Sequence, residues 1–196
     1  MAHSRRFRAL RKRINQLEAD LLPPAKPAGN YTLAEQDRVR AFRLLVHAEI
    51  EGFLEQMVEE VLAAALIKYG STGRPNRVLK AVRQSLCRDD EVTASTDFFD
   101  AALVEFRKKV VAKNHGLKAR NVHNLFLPLG IDPDLLNTSW LNALDAFGES
   151  RGQVAHQPYN FQVNLVLDPI VEQNSVNQLV VELDNFDQLI APLRRS

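Results

Sequence analysis

Phe7, Leu10, Ile14, Leu17 and Leu21 recur at spacings of three and four and predict a short amphipathic helix over residues 4–22. The run PPAKPAG then stops it. Thr32 and Glu35 stand three apart, the spacing of a capping box. From there to Tyr69 nothing interrupts the helical pattern, and Gly70 is placed to end it, which makes a helix of about 37 residues and roughly 55 Å. Its apolar positions fall in two rows. Val39, Phe42, Val46, Ile50, Phe53, Met57 and Val61 form one, and Leu45, Leu54, Val58, Leu62 and Leu66 form the other. Two rows imply packing on two sides, as at a bundle centre. The other face is acidic, with Glu49, Glu51, Glu55, Glu59 and Glu60. Gly52 costs up to about 1 kcal/mol in mid-helix and is expected to mark a close helix crossing.

Further helices are expected over residues 76–87, over 97–114 with Phe98, Ala102, Val104, Phe106, Val110 and Val111, and over LKARNVHNLF up to Pro128. Asp132 and Pro133 read as N-cap and first position of a helix carrying Leu135, Leu136, Trp140, Leu144 and Phe147. Asp168 and Pro169 repeat that logic for a last helix ending near Ile190. The stretch YNFQVNLVL alternates weakly and reads as a short strand or an extended loop. The class is all-α. Residues 1–30 form a basic N-terminal helix with a Pro-rich linker, and 31–196 form the helical domain.

Composition changes this picture little. The net charge is +1, so any nucleic-acid partner must be met by local clustering. The single cysteine, Cys87, allows no internal disulfide and reads as a small core residue in a reducing cytosol. No stretch approaches the roughly 20 apolar residues of a membrane span. The basic N-terminus lacks the apolar core and cleavage site of a secretory signal. A cytoplasmic protein without membrane contact is expected.

The segment ESRGQVAHQ carries the candidate chemistry. Arg151 and His156 lie five apart, about 140° of azimuth on an ideal helix, so they converge only where Gly152 or the helix end bends the chain. Val154 and Ala155 between them can anchor the segment to a core. A guanidinium forks onto phosphate oxygens and stays charged. An imidazole takes or gives a proton near neutral pH.

RGQVAH preceded by WLNALDAFGES, with LLVHAEIEGFLEQMVEEV upstream, resembles an HEPN domain over roughly residues 33–190, nearest to the RiboL-PSP branch. The resemblance implies a helical bundle with an arginine and a histidine four to six residues apart near its final helical segment, matched by Arg151 and His156. It implies a metal-independent endoribonuclease of a toxin, defence or RNA-processing system, commonly a homodimer whose two motifs face one cleft. Gly152 stands where many active members carry a polar residue, and Tyr159 falls one position late for the H-x-Y continuation of toxins paired with a nucleotidyltransferase.

The expected reaction is attack of the RNA 2′-hydroxyl on the adjacent phosphorus, leaving a 2′,3′-cyclic phosphate, with His156 as acid or base and Arg151 on the non-bridging oxygens. No cofactor and no metal site are expected: His115 and His123, or Glu49 and Glu51, are not spaced as a ligand set. Glu51 is a candidate for orienting Arg151, against the plainer reading of a solvated face.

For RNA, the stretch between Glu105 and Asp132 holds no acid and carries Arg107, Lys108, Lys109, Lys113, Lys118 and Arg120. Phe126 reads as core rather than as a stacking platform. The basic N-terminal helix has three candidate partners: RNA, an acidic protein such as an antitoxin or regulator, or the acidic face of the long helix. The alternative function is a non-catalytic HEPN-like module that binds RNA or protein, or a dimerisation scaffold.

Overall fold

A computed structural model describes residues 3–26, 29–86, 97–156 and 167–194, with backbone alone at 97–98 and 150–156. Among the described residues seven α-helices follow one another: α1 (Arg5–Leu21), α2 (Leu33–Thr72), α3 (Arg77–Leu86), α4 (Asp97–Lys109), α5 (Ala119–Phe126), α6 (Thr138–His156) and α7 (Pro169–Ile190). Among the described residues there is no strand, and the all-α class holds. Cys87 and nearly all of YNFQVNLVL lie outside the described residues.

α2 is the axis. The Thr32 hydroxyl accepts from the Glu35 amide at 3.3 Å while the Glu35 carboxylate accepts from the Thr32 amide at 2.8 Å, so the capping box is formed. The helix passes through Gly70 and ends at Gly73, whose φ of 65° is the left-handed cap that termination requires. It has 40 residues and closes where the Gly73 amide donates to the Tyr69 carbonyl.

The acidic face is in fact two rows. At about 100° per residue, Glu49, Gln56 and Glu60 share one side, and Glu51, Glu55 and Glu59 share another about 120° away. The first row meets α1: Arg13 Nε lies 3.1 Å from Glu49 and Arg6 Nη2 lies 2.7 Å from Glu60. Under those pairs Phe7, Leu10, Ile14 and Leu17 are buried in the same core as the α2 stripe. The acidic face of the long helix is thus where Arg6 and Arg13 go, while Arg5, Arg8, Arg11 and Lys12 face outward.

Leu45 and Gly52 fall in the wedge between the two acidic rows. Leu45 is 42 % exposed and so drops out of the second apolar row. A Cβ built on Gly52 meets nothing within 4 Å, so this glycine marks no close crossing.

α7 is docked on α2 by polar contacts that sequence spacing does not announce. Arg43 makes a two-pronged ion pair with Glu172, one bond being 2.7 Å, and Glu172 is buried. The Gln36 side chain donates to the Leu167 carbonyl at 3.0 Å and accepts from its amide at 2.9 Å. Asp168 caps α7 by accepting from the Ile170 and Val171 amides.

Two expected boundaries move. α4 stops at Lys109, and Val111–Lys113 form a 3-10 turn, because consecutive β-branched Val110 and Val111 crowd an α-helical turn. Asp132 and Pro133 start only the 3-10 turn Pro133–Leu135. Asn137 then caps α6, its side-chain oxygen accepting from the Ser139 and Trp140 amides at 2.9 and 3.2 Å.

Because Gly52 faces open space on a helix, Gly52→Ala should stabilise the fold by about 0.5–1 kcal/mol. Thermal unfolding is expected to shift upward by about 1–4 °C. A lower melting temperature would reveal a neighbour pressed against that position.

Candidate functional site

α6 runs unbroken through Gly152 to His156, its last residue. The glycine therefore keeps helical backbone, and the bend that Gly152 permits is not taken. Along this helix Arg151 and His156 stand about 140° apart. Their side chains lie outside the described residues, but their register is set by the backbone. Arg151 follows Leu144 by seven positions and Phe147 by four, and so continues the row that these two bury against the core.

That row meets a polar cluster on α2. Phe147 stacks on His47 with ring centroids 6.2 Å apart and an interplanar angle of 18°. His47 is buried, and its Nδ1 lies 3.6 Å from the Glu51 carboxylate. α6 runs close here: a Cβ built on Gly148 would sit 3.9 Å from His47 Nε2 and 3.9 Å from Leu117, ordinary van der Waals contact, so the approach does not require a glycine. The arrangement puts one turn of α6, three residues before Arg151, directly over the His47–Glu51 pair.

The segment between α4 and α5 covers one side of this cluster, held by side chains of α2 and α6. The Gly116 amide donates to Glu51. Asn114 Nδ2 makes a long hydrogen bond of 3.5 Å to Glu55. Asp145 of α6 accepts from the Ala119 amide at 2.7 Å, capping α5 where Lys118 offers no side-chain cap. Asn121 Nδ2 ties the segment to itself through the carbonyls of His115 and Gly116, at 2.7 and 2.9 Å. Burial pushes the Glu55 carboxyl above its usual range, and the nearby charge of Glu51 adds to that. Glu51 is thus engaged with backbone and imidazole rather than simply solvated.

The family model described as RiboL-PSP-HEPN matches residues 5–191. The chain belongs to this HEPN family. No curated protein and no solved structure matches it. HEPN membership points to an RNase-like or nucleotide-related function. The match takes in α1, which the core of this HEPN chain also includes.

The six cations proposed for RNA divide. Arg107 is committed to Glu59, with contacts of 2.9 and 3.1 Å. Lys109 pairs with Glu105 at 2.6 Å on an exposed turn. Lys113 and Arg120 form no ion pair among the described residues, and Lys108 and Lys118 are exposed. Phe126 is fully buried and packs edge-on against Phe186, so it offers no stacking face. Among the described residues no group of three or more His, Cys, Asp or Glu is placed to hold a metal ion, and no helix is long and apolar enough to cross a membrane.

Sequence reasoning passed over His47, Glu55 and Asn114. The signal for His47 was a polar residue on the Leu54–Val58 side of α2, with a carboxylate four positions on.

Glu55 gives a pH test. Its folded carboxyl titrates above the ordinary value of 4.5, so protonation favours the native state. The stability from this site is complete below that ordinary value and is lost as pH rises through the raised one. Glu55→Gln removes the loss. Relative to the unsubstituted protein, its denaturant midpoint is expected to gain more at pH 7 than at pH 4. Equal offsets at both pH values would mean a solvated carboxylate.

Proposed function

We propose that this HEPN protein is a metal-independent endoribonuclease of the toxin or defence type, working through Arg151 and His156. The observation that supports it most is the register of α6. The arginine falls at a register position of the row in which Phe147 stacks on His47, and the histidine closes the same helix. A guanidinium offers paired donors that match the oxygens of a phosphate.

In this reading the 2′-hydroxyl attacks phosphorus and the 5′-oxygen leaves, giving a 2′,3′-cyclic phosphate. His156 moves the proton, and Arg151 binds the non-bridging oxygens more tightly as charge develops. One imidazole does not easily serve as base and acid in the same step. A homodimer that brings two α6 ends together supplies the second, and it also answers the 140° separation within one chain. DNA, lacking the 2′-hydroxyl, is inert.

The unbroken helix through Gly152 favours a second reading, a non-catalytic HEPN module that binds RNA or a protein partner such as an antitoxin. Purified protein incubated with RNA and a chelator separates the two. His156→Ala and Arg151→Ala are each expected to lower the cleavage rate by about 10²–10⁴, with cyclic-phosphate ends in the native digest. Full activity in His156→Ala would overturn the mechanism, and an uncleaved RNA that still shifts on a gel would favour the binding module.

A further inference from the structure

A groove lies between α3 and the α4–α5 segment, on the far side of that segment from the His47–Glu51 cluster. Its volume is about 740 Å³, within the range of about 300–1,000 Å³ common for ligand sites. Among the described residues, Lys109, Lys113, Arg120 and His123 line it together with the amides of Asn114 and Asn124, and no carboxylate does. Glu105 offsets the charge of Lys109 at 2.6 Å, whereas Lys113 and Arg120 form no ion pair among the described residues, and a polyanion lowers the Coulomb repulsion that remains. Val110, Leu127 and Pro128 supply apolar surface in the same groove, which suits the face of a base better than it suits an acidic peptide.

Asn114 belongs to both places. It lines the groove, yet its amide reaches Glu55 on α2, and two residues on the Gly116 amide reaches Glu51. The segment is therefore a thin partition with the groove on one side and the Glu51–His47 cluster on the other. We infer that this groove is the seat of single-stranded RNA flanking the cleaved linkage, with Lys109, Lys113 and Arg120 each on a phosphate and the Asn124 side-chain amide on a base edge. The inference rests on the ribonuclease reading for the word "cleaved", but not for the binding itself.

The test uses the full chain carrying His156→Ala, so that RNA stays intact, and a fluorescent 12-nucleotide single-stranded RNA. Binding is measured across a salt series with and without Lys109→Ala, Lys113→Ala and Arg120→Ala together. A comparison protein loses three exposed cations that do not line the groove, through Arg38→Ala, Lys68→Ala and Arg74→Ala. Far-ultraviolet melts confirm that both fold.

The groove variant is expected to bind about 10–100-fold more weakly. Its log–log salt slope should be shallower by about 2, since each phosphate contact on a single strand contributes about 0.7. The comparison protein should stay within about threefold. Equal losses in both variants, or no loss in the groove variant, overturn the proposal. So does a polyglutamate peptide that displaces the RNA at equal charge. Binding that maps to the groove in a chain whose native form does not cleave upholds the groove and sinks the ribonuclease reading. Cleavage that needs His156 but is indifferent to the groove does the reverse.

Discussion

Five carboxylates on one helix decide where the rest of this protein goes. α2 is apolar on two sides, so it is stable only when covered, and its acids tolerate partial burial only when each finds a donor. They sit in two rows, and each row recruits a different part of the chain. Glu49 and Glu60 take arginines of α1, and Glu60 also approaches Arg194 beyond α7. Glu59 takes Arg107 of α4, and Glu51 and Glu55 take the amides of the segment that follows. Exposed ion pairs of this kind contribute little energy individually, on the order of 0–1 kcal/mol. Their role is to fix register on a helix whose apolar stripes alone would allow sliding.

The same carboxylates explain an otherwise irregular stretch. Between α4 and α5 the backbone leaves α-helical geometry at Val110, and its amides lose intrahelical partners. Buried amides must be satisfied, and here Glu51 and Asp145 satisfy them from two different helices. An irregular loop thereby becomes a fixed wall. It can carry Lys113 and Asn114 on one surface while meeting His47's neighbourhood on the other.

Much of this was legible in the sequence because it depends on short-range physics. The Thr32–Glu35 box, the Asp168–Pro169 start and the stripe of α1 all follow from spacings of three and four, and each appears as read. What depended on three dimensions was less legible. Gly70 and Gly73 are equally good stop signals in one dimension, and only the second adopts the left-handed conformation. The five glutamates look like one face until their azimuths are laid out. Asp132 caps a single 3-10 turn because Asn137, five residues later, offers a competing cap whose helix can bury Trp140 and Leu144. His47 was hidden because a histidine in an apolar row looks like a core residue, and its partners come from positions 51 and 147, one local and one a hundred residues away.

The motif itself shows the limit of spacing as evidence. Arg151 and His156 were expected to converge through a bend, but α6 keeps its helix through Gly152, which separates them by about 140°. The separation changes which geometry would make them act together. On a continuous helix the arginine falls at a register position of the row that Leu144 and Phe147 occupy, and the histidine at one about 140° round. A phosphate touched by both must then lie across the end of α6 rather than along its side, or between two copies of that end. The partition built by Asn114 and Gly116 lies beside the polar cluster that begins one turn earlier on α6. A cationic groove behind that partition is where an extended polyanion, rather than a compact ligand, would gain the most from continuing.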